Sequence, residues 1–451
     1  MSVYHRLLPE TPFRSLDEYI AAGGGEGLAA LDRMGPNAAI GEIRASGLRG
    51  RGGAGFPTAI KLGGVASAEG DRKFVVANVS EGEPGTFKDR WMLQNNPYSL
   101  LEGITIAGLA VGAEQAFIAI KHKHHTAIDR LEQAGVEMAE AGMIGQVPIT
   151  IVRGPDAYLF GEEKAMLEVI EGNEPKPRLY PPYMRGLFET QGSSLHPTSV
   201  NNAETLSHLP NILAKGADWF RSAGTDQSPG TMIFALGGDT TVNTVVELAL
   251  GTPMRELVEV HCRGTESGLP IKMITNGVSN RPIRAEHLDV PLSYEGLQSI
   301  NSGLGSAGFT LYDDTICSVQ AIGAYAAFNA RGSCGQCVPC KVGTTELARR
   351  LIALSEGRGG AKSMDEIAGW VAKVTDWNRC GLGAGQQMLV GGFVEEYPDD
   401  IALHLAGEPC DSERRVDVPV IADWDRETGK FIYYETPGYT EGLEIPLDIT
   451  V

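Results

Sequence analysis

At 451 residues, with 42% apolar and 21% charged side chains, the chain exceeds what one core can serve and has the make-up of a folded soluble protein of two to four domains. A formal net charge of -19 argues against nucleic acid, which needs a basic surface. Seven cysteines crowded toward the C-terminal third argue against a disulfide framework and for reduced thiols, some of them metal ligands.

Met1 to Pro9 holds no long apolar segment, so neither a signal peptide nor a lipid anchor is read, and a cytosolic address is expected. Ser15 and Glu18 make a capping-box pattern, and a second helix is expected over 38–45. Gly47 then opens a glycine-rich run: Gly50, Arg51, Gly52, Gly53, Ala54, Gly55, Phe56, Pro57 and Thr58. Such a turn exposes amides that can cradle phosphate oxygens, with charge added by Arg51 and Lys61. A flexible surface turn is the alternative, and the spacing is not the usual dinucleotide fingerprint.

Residues 73–77 read as an apolar strand that delivers Asn78, Ser80, Glu81 and Glu83 at its carboxyl end, with Lys88, Asp89 and Arg90 following. An amide and carboxylates there suit sugar hydroxyls or a polar ring edge, against a solvated acidic turn. The apolar stretch 103–120 reads as a buried helix (100–113) running into a second strand (116–120) rather than a membrane span. The basic patch from Lys121 to His125 reads as a solvated turn. A helix over 126–141 and a strand over 148–153 complete an α/β alternation with largely parallel pairing, in which ligands gather beyond the carboxyl ends of strands.

Gly161, Glu162 and Glu163 lie at another strand exit, where glycine permits close approach and the glutamates could equally favour a helix terminus. Asn201, Asn202 and Thr205 look like a helix start whose polar groups could cap locally or hold a cofactor. Composition shifts over 225–230, read as a linker, before a small β-rich unit ending near residue 292. Helices are expected over 318–330, 344–356 and 364–374, a small bundle. The last forty residues, acidic and aromatic, read as a docked tail with short strands.

Cys334, Cys337 and Cys340 stand three apart, and Cys380 follows after 39 intervening residues. Four thiolates suit a [4Fe-4S] cluster or tetrahedral zinc, and the triple spacing favours the cluster. Cys262, Cys317 and Cys410 read as packed free thiols.

With these loops and cysteines in this order, residues 41–397 resemble the flavin-bearing, NADH-oxidising subunit of respiratory complex I, the F or 51 kDa type, and its relatives in NAD-linked hydrogenases and formate dehydrogenases. The resemblance implies an α/β FMN- and NAD(H)-binding domain (1–225), a β-grasp domain (226–300), a helical domain carrying one [4Fe-4S] cluster (301–411) and an acidic tail (412–451). It implies that Gly50 to Phe56 and Lys61 contact flavin phosphate and nucleotide. Asn78, Ser80, Glu81 and Glu83 would reach ribityl and ribose hydroxyls, Gly161, Glu162 and Glu163 would line the cleft, and Tyr183 would stack. Asn201, Asn202 and Thr205 would finish the flavin site, and Cys334, Cys337, Cys340 and Cys380 would hold the cluster. Glu81 and Glu163 are the candidate catalytic carboxylates.

The implied reaction is hydride transfer from NADH to FMN, with electrons leaving singly through the cluster. Implied partners are a thioredoxin-like [2Fe-2S] subunit and further iron-sulfur proteins, at the inner face of a membrane when the complex sits there. An NAD+-reducing diaphorase of a formate dehydrogenase or hydrogenase, and a non-catalytic iron-sulfur scaffold, are the alternatives. Departures from the family pattern include Ser80 for an aspartate, Phe160 for a cysteine, Ala59 for a glycine, Leu62 and Gly64 for aromatic residues, and Tyr180 and Tyr183 for a lysine and a phenylalanine. An insertion falls around 186–195. Those at Ala59, Leu62, Gly64, Tyr180 and Tyr183 fall at what would be the adenine end of the nucleotide pocket.

Overall fold

Four parallel strands form the first sheet of the computed structural model: β1 (Phe74–Val79), β2 (Gln115–Lys121), β3 (Ile149–Gly154) and β4 (Thr198–Asn202), in the order β3-β2-β1-β4. The structure describes residues 3–189, 194–360, 362–407, 412 and 414–434; Cys410, part of the insertion and the end of the acidic tail lie outside them. Near-continuous apolar runs in β1 and β2 fit a sheet covered on both faces. β1 pairs with β2 on one side and β4 on the other. The order therefore reverses at β1, and its carboxyl end opens on the crevice where such sheets bind ligands.

One face of this sheet is covered by the helix Pro97–Val111, buried at every position but Leu109. Asn96 caps it by accepting from the Ser99 amide, and Gly112, left-handed at φ 70°, ends it. The apolar stretch 103–120 is thus a core helix and strand, as its length predicts. No helix among the described residues is long and apolar enough to cross a membrane.

A second sheet contains β5 (Thr231–Gly238), β6 (Thr244–Ala249), β7 (Ile271–Asn276) and β8 (Gly308–Asp313), in the order β6-β5-β8-β7. β8 lies between β5 and β7, so the sheet runs on past residue 300. The expected linker at 225–230 is tied in: the Thr225 and Ser228 hydroxyls both donate to the Glu295 carboxylate. Its turn-forming composition closes a loop that leads into β5.

The C-terminal helices Ser318–Gly332, Val338–Ser355, Ser363–Lys373, Leu382–Glu396 and Pro398–Leu405 pack around Leu347, Leu351, Ile367, Leu389 and Phe393. The second begins six residues before the expected start, because Pro339 sits at its N-terminus, where a missing N–H costs nothing. The tail contributes an antiparallel hairpin, β9 (Ile421–Asp425) and β10 (Lys430–Tyr433), whose Trp424 and Phe431 join the core of the first domain.

Candidate functional site

The glycine-rich run is a closed loop: the Gly50 amide donates to the Phe56 carbonyl and the Thr58 amide to the Leu48 carbonyl, before the helix Thr58–Ser67 begins. Gly55 needs its lack of a side chain, since φ is 61° and an added Cβ would stand 2.5 Å from the Tyr294 ring. That ring is held by Arg49 stacked at 3.9 Å and by its hydroxyl, which donates to the Gly50 carbonyl. Gly53 pairs with Gly305, so the loop leans on the segment before β8.

Arg51 is fully buried and spends its guanidinium on the carbonyls of Arg49, Pro229 and Thr231. Its expected charge contribution to a phosphate is therefore corrected: the side chain braces the loop from behind. Its amide donates to Thr205 Oγ1, which joins the loop to the helix Ala203–Ser207.

Beyond β1, Glu81 adopts φ 39°, a left-handed conformation unusual for a side-chain-bearing residue. Its buried carboxylate accepts from the amides of Lys88, Asp89 and Arg90 and from the Arg90 guanidinium at 2.5 Å. With its lone pairs so engaged, Glu81 anchors the loop and caps the helix Asp89–Asn95; it offers no free carboxylate for proton transfer. Lys88, also buried, bonds Asp89 and Glu204 at 2.7 and 2.8 Å and reaches Asn202. Burial alone would lower its pKa, but the two carboxylates outweigh that and raise it.

Glu83 receives the Val278 amide, the Tyr158 hydroxyl and the Ser279 hydroxyl. Burial raises its pKa, with those bonds acting in the other direction. Glu162 caps the helix Glu163–Ile170 by accepting from the Lys164 and Ala165 amides, and burial raises its pKa too. Glu163 pairs with Lys61 at 3.1 Å, half-exposed. Asn78 donates to the Gly161 carbonyl and accepts from the Ser80 amide.

These elements enclose a cavity of about 300 Å³, at the lower end of small-molecule sites. Gly52, Asn78, Ser80, Glu81, Glu83, Gly161, Glu162 and Asn202 line it, as does Cys380. An added Cβ on Gly161 would lie 2.8 Å from Ser80 Oγ, so glycine keeps this wall open. Amide, hydroxyl and carboxylate groups beside Tyr158 and Leu159 suit a flat, hydrogen-bonding ring system carrying a polyol, and in that respect the residues fit FMN.

Other expected positions stand elsewhere. Phe56 is about half exposed and Tyr183 is 64% exposed, neither lining this cavity; Lys61 donates to the Val200 carbonyl, and Asn201 bonds Ser199. Leu62 is fully buried in the hydrophobic core, so its change from an aromatic residue is one of packing. Thr86, Ser279, Ser306 and Asn329 line the cavity without having been expected. The last three come from segments remote in sequence and carry no local pattern; Thr86, beside Pro84 and Gly85, could have been read as part of its loop.

A second, smaller cavity is lined by Cys334, Cys337, Cys340 and Cys380 with Leu159, Pro177 and Leu382. Burial pushes the Cys340 thiol up and the Cys380 thiol to about 11, so a positive metal centre is what would favour their ligating thiolate forms. The Arg379 amide points at Cys337 Sγ at 3.3 Å, and Ser333 Oγ stands 3.5 Å from Cys340 Sγ. Among the described residues, the ligand atoms that all lie within 4.8 Å of one another are those of Glu286, His287 and Glu396, at a partly exposed place; the cysteine sulfurs form no set that tight.

Comparison with known proteins agrees with this geometry. Residues 43–211 match the family model described as the Nuo51 FMN-binding domain, and residues 320–404 the one described as the NADH-ubiquinone oxidoreductase-F iron-sulfur binding region. The chain is 36% identical to the F 2 subunit of the NADH-quinone oxidoreductase of Rhizobium meliloti, over 88% of this chain and 95% of that one. It is 33% identical to the HndC subunit of the NADP-reducing hydrogenase of Solidesulfovibrio fructosivorans, over 88% and 82%. Among solved structures, an NAD+-reducing [NiFe]-hydrogenase in its air-oxidized state matches with a TM-score of 0.77 at 29% identity, covering 90% of this chain and 69% of that one.

Proposed function

The chain belongs to the F, or 51 kDa, family of NADH dehydrogenase subunits, related to the diaphorase subunits of NAD-linked hydrogenases, and from that membership we propose how its residues divide the work. It is an oxidoreductase subunit that oxidises NADH at an FMN-binding domain and feeds electrons through an iron-sulfur region to partner proteins. FMN, when bound, supplies acceptance of a hydride's two electrons and their release one at a time.

The α/β domain up to about residue 225 binds FMN and NAD(H), with the second sheet as a β-grasp domain and the C-terminal helices as the iron-sulfur domain. The loop from Gly52 to Gly55 presents backbone amides to phosphate, with Gly50 and Arg51 bracing it from within the protein. Asn78, Ser80, Asn202 and Gly161 hold the polyol and ring edge, Glu83 and Glu162 keep the ring's polar edge oriented, and Asn201 and Thr205 support the floor. Phe56, Lys61, Glu163 and Tyr183 form the outer rim where nucleotide enters. Glu163 is the carboxylate most available to that nucleotide, through its half-exposed pair with Lys61.

Cys334, Cys337, Cys340 and Cys380 hold one [4Fe-4S] cluster. The triple spacing of Cys334, Cys337 and Cys340, and the match of residues 320–404 to an iron-sulfur binding region, favour a centre of several irons over a single zinc. The observation that carries the whole reading is Cys380, which borders both cavities and so leaves no gap between the flavin site and the cluster. Electrons then pass to further iron-sulfur subunits, including a thioredoxin-like [2Fe-2S] protein. The likeness to an NAD+-reducing hydrogenase favours a second direction, in which the same centres deliver electrons to NAD+.

Anaerobic titration of the purified holoprotein with NADH, and separately NADPH, tests this. Bleaching of the flavin absorption followed by an iron-sulfur signal is expected, and colourless, iron-free protein would refute it.

A further inference from the structure

A third cavity, of about 630 Å³, opens at the carboxyl ends of β2 and β3, the end of a parallel sheet where ligands gather. It shares Gly82, Tyr158 and Leu159 with the flavin cavity and Cys334 with the cysteine cavity. Val420 and Tyr434, which flank the C-terminal hairpin, line it too, and neither matched region, 43–211 or 320–404, extends to them.

Its charge comes from the basic patch at the end of β2, which turns partly inward instead of standing in solvent. The Lys121 side chain is only 5% exposed and runs against the loop after β1, where a Cβ added to Gly82 would stand 3.0 Å from its Nζ. Of the three N–H groups of that ammonium, one finds an acceptor among the described residues, the Asp156 carboxylate at 3.1 Å. Lys123 donates to the other oxygen of the same carboxylate at 2.6 Å and lies 3.8 Å from the centre of the Tyr434 ring. Arg331 lines the cavity as well, while Lys176 and Glu174 pair with each other at 2.5 Å and cancel. Three cations thus face one carboxylate, which leaves two positive charges on a chain whose net charge is -19. The field reaches further: burial, with Arg90, Lys121, Lys123 and His122 adding to it, pushes the buried His124 imidazole well below its ordinary pKa.

A buried ammonium with unmet N–H groups is costly, and a surplus of two charges compounds the cost. A phosphate monoester answers both, since it carries nearly two negative charges at neutral pH and three acceptor oxygens. The rest of the wall is aromatic: Tyr158 and Phe328 meet edge-on at 5.1 Å, with Tyr434 as a third ring. Inorganic phosphate would leave those rings and most of the volume unfilled.

We propose that this cavity is a second ligand site, for a phosphate monoester of a flat ring compound with the build of a purine mononucleotide. Lys121, Lys123 and Arg331 hold the phosphate, and the aromatic wall takes the ring.

The test is calorimetric titration of the full-length holoprotein, without NADH, using AMP, adenosine and inorganic phosphate as probes. AMP should bind more tightly than either of the others, because adenosine lacks the anion and phosphate lacks the ring. Lys123→Gln and Lys121→Met should each weaken AMP about tenfold, the worth of one charge-assisted hydrogen bond. Tyr434→Ala should weaken AMP and leave inorganic phosphate unchanged. Flavin content and the KM for NADH should match the wild type in all three; Lys123 is partly exposed, so its variant decides the matter if Lys121→Met fails to fold. AMP binding that is absent in the wild type, or equal in the wild type and the lysine variants, overturns the site. So does AMP that NADH displaces, or a folded lysine variant with a raised KM for NADH or lost flavin, since AMP then occupies the site already described. Inorganic phosphate that binds as tightly as AMP overturns the nucleotide assignment.

Discussion

Lys88 holds two buried carboxylates and an asparagine of the cavity wall with one ammonium group, so its removal leaves Asp89 and Glu204 facing each other without a counter-charge. Lys88→Met should cost about 3–5 kcal/mol of stability, read from urea unfolding, because a broken buried pair costs far more than the intact pair contributes. Glu83 gives the opposite case. Its pKa is raised in the fold by burial, so the protonated form is favoured there, and stability falls as pH rises from the ordinary carboxylate range through that raised value. Glu83→Gln, which keeps an acceptor for Val278 or Tyr158, should flatten the decline of Tm between about pH 4.5 and neutrality, measured by thermal unfolding in a pH series. At this scale the sequence was informative about residue types and misleading about their jobs. Arg51 and Glu81 looked like ligand groups because charge beside glycine usually faces a ligand; both are consumed by backbone partners that no local pattern announces.

At the level of elements, the glycine-rich loop works by being closed and thin. Gly55→Ala adds a Cβ against a tyrosine ring that Arg49 and Gly50 hold in place, and it does so at a positive φ. A loss of about 1–3 kcal/mol is expected, together with a lower flavin content per chain, measured by urea unfolding and by the absorption of the purified protein. The strands and long helices were legible because their apolar runs and caps are local signals: Asn96 and Gly112 bracket one helix by themselves. The place of β8 was not legible, since its parallel pairing with β5 links segments separated by a whole sub-domain. The contacts of the 225–230 segment were hidden for a similar reason, its serine and threonine being claimed by Glu295 some seventy residues on.

Across the whole molecule, the last described segment reaches back to the first site. The Gly85 amide donates to the Pro419 carbonyl, Arg90 donates to the carbonyls of Ile421 and Ala422, and Trp424 meets Trp91 edge-on at 4.8 Å. A chain ending at Val420, which keeps Val416 and Val418 in the core of the C-terminal helices, should therefore retain its iron but lose flavin and melt at a lower temperature, checked by iron and flavin analysis beside thermal unfolding. The tail's composition foretold short docked strands; only the tertiary structure says what they dock on. This tether has a consequence for the order of manufacture. Domains assemble from the N-terminus as synthesis proceeds, yet here the loop after β1 is fastened by carbonyls more than 300 residues further along. A nascent chain that has not reached Pro419 can complete its parallel sheet but cannot finish the cradle beside it. A product cut short before Pro419 is therefore expected to carry the sheet without this brace.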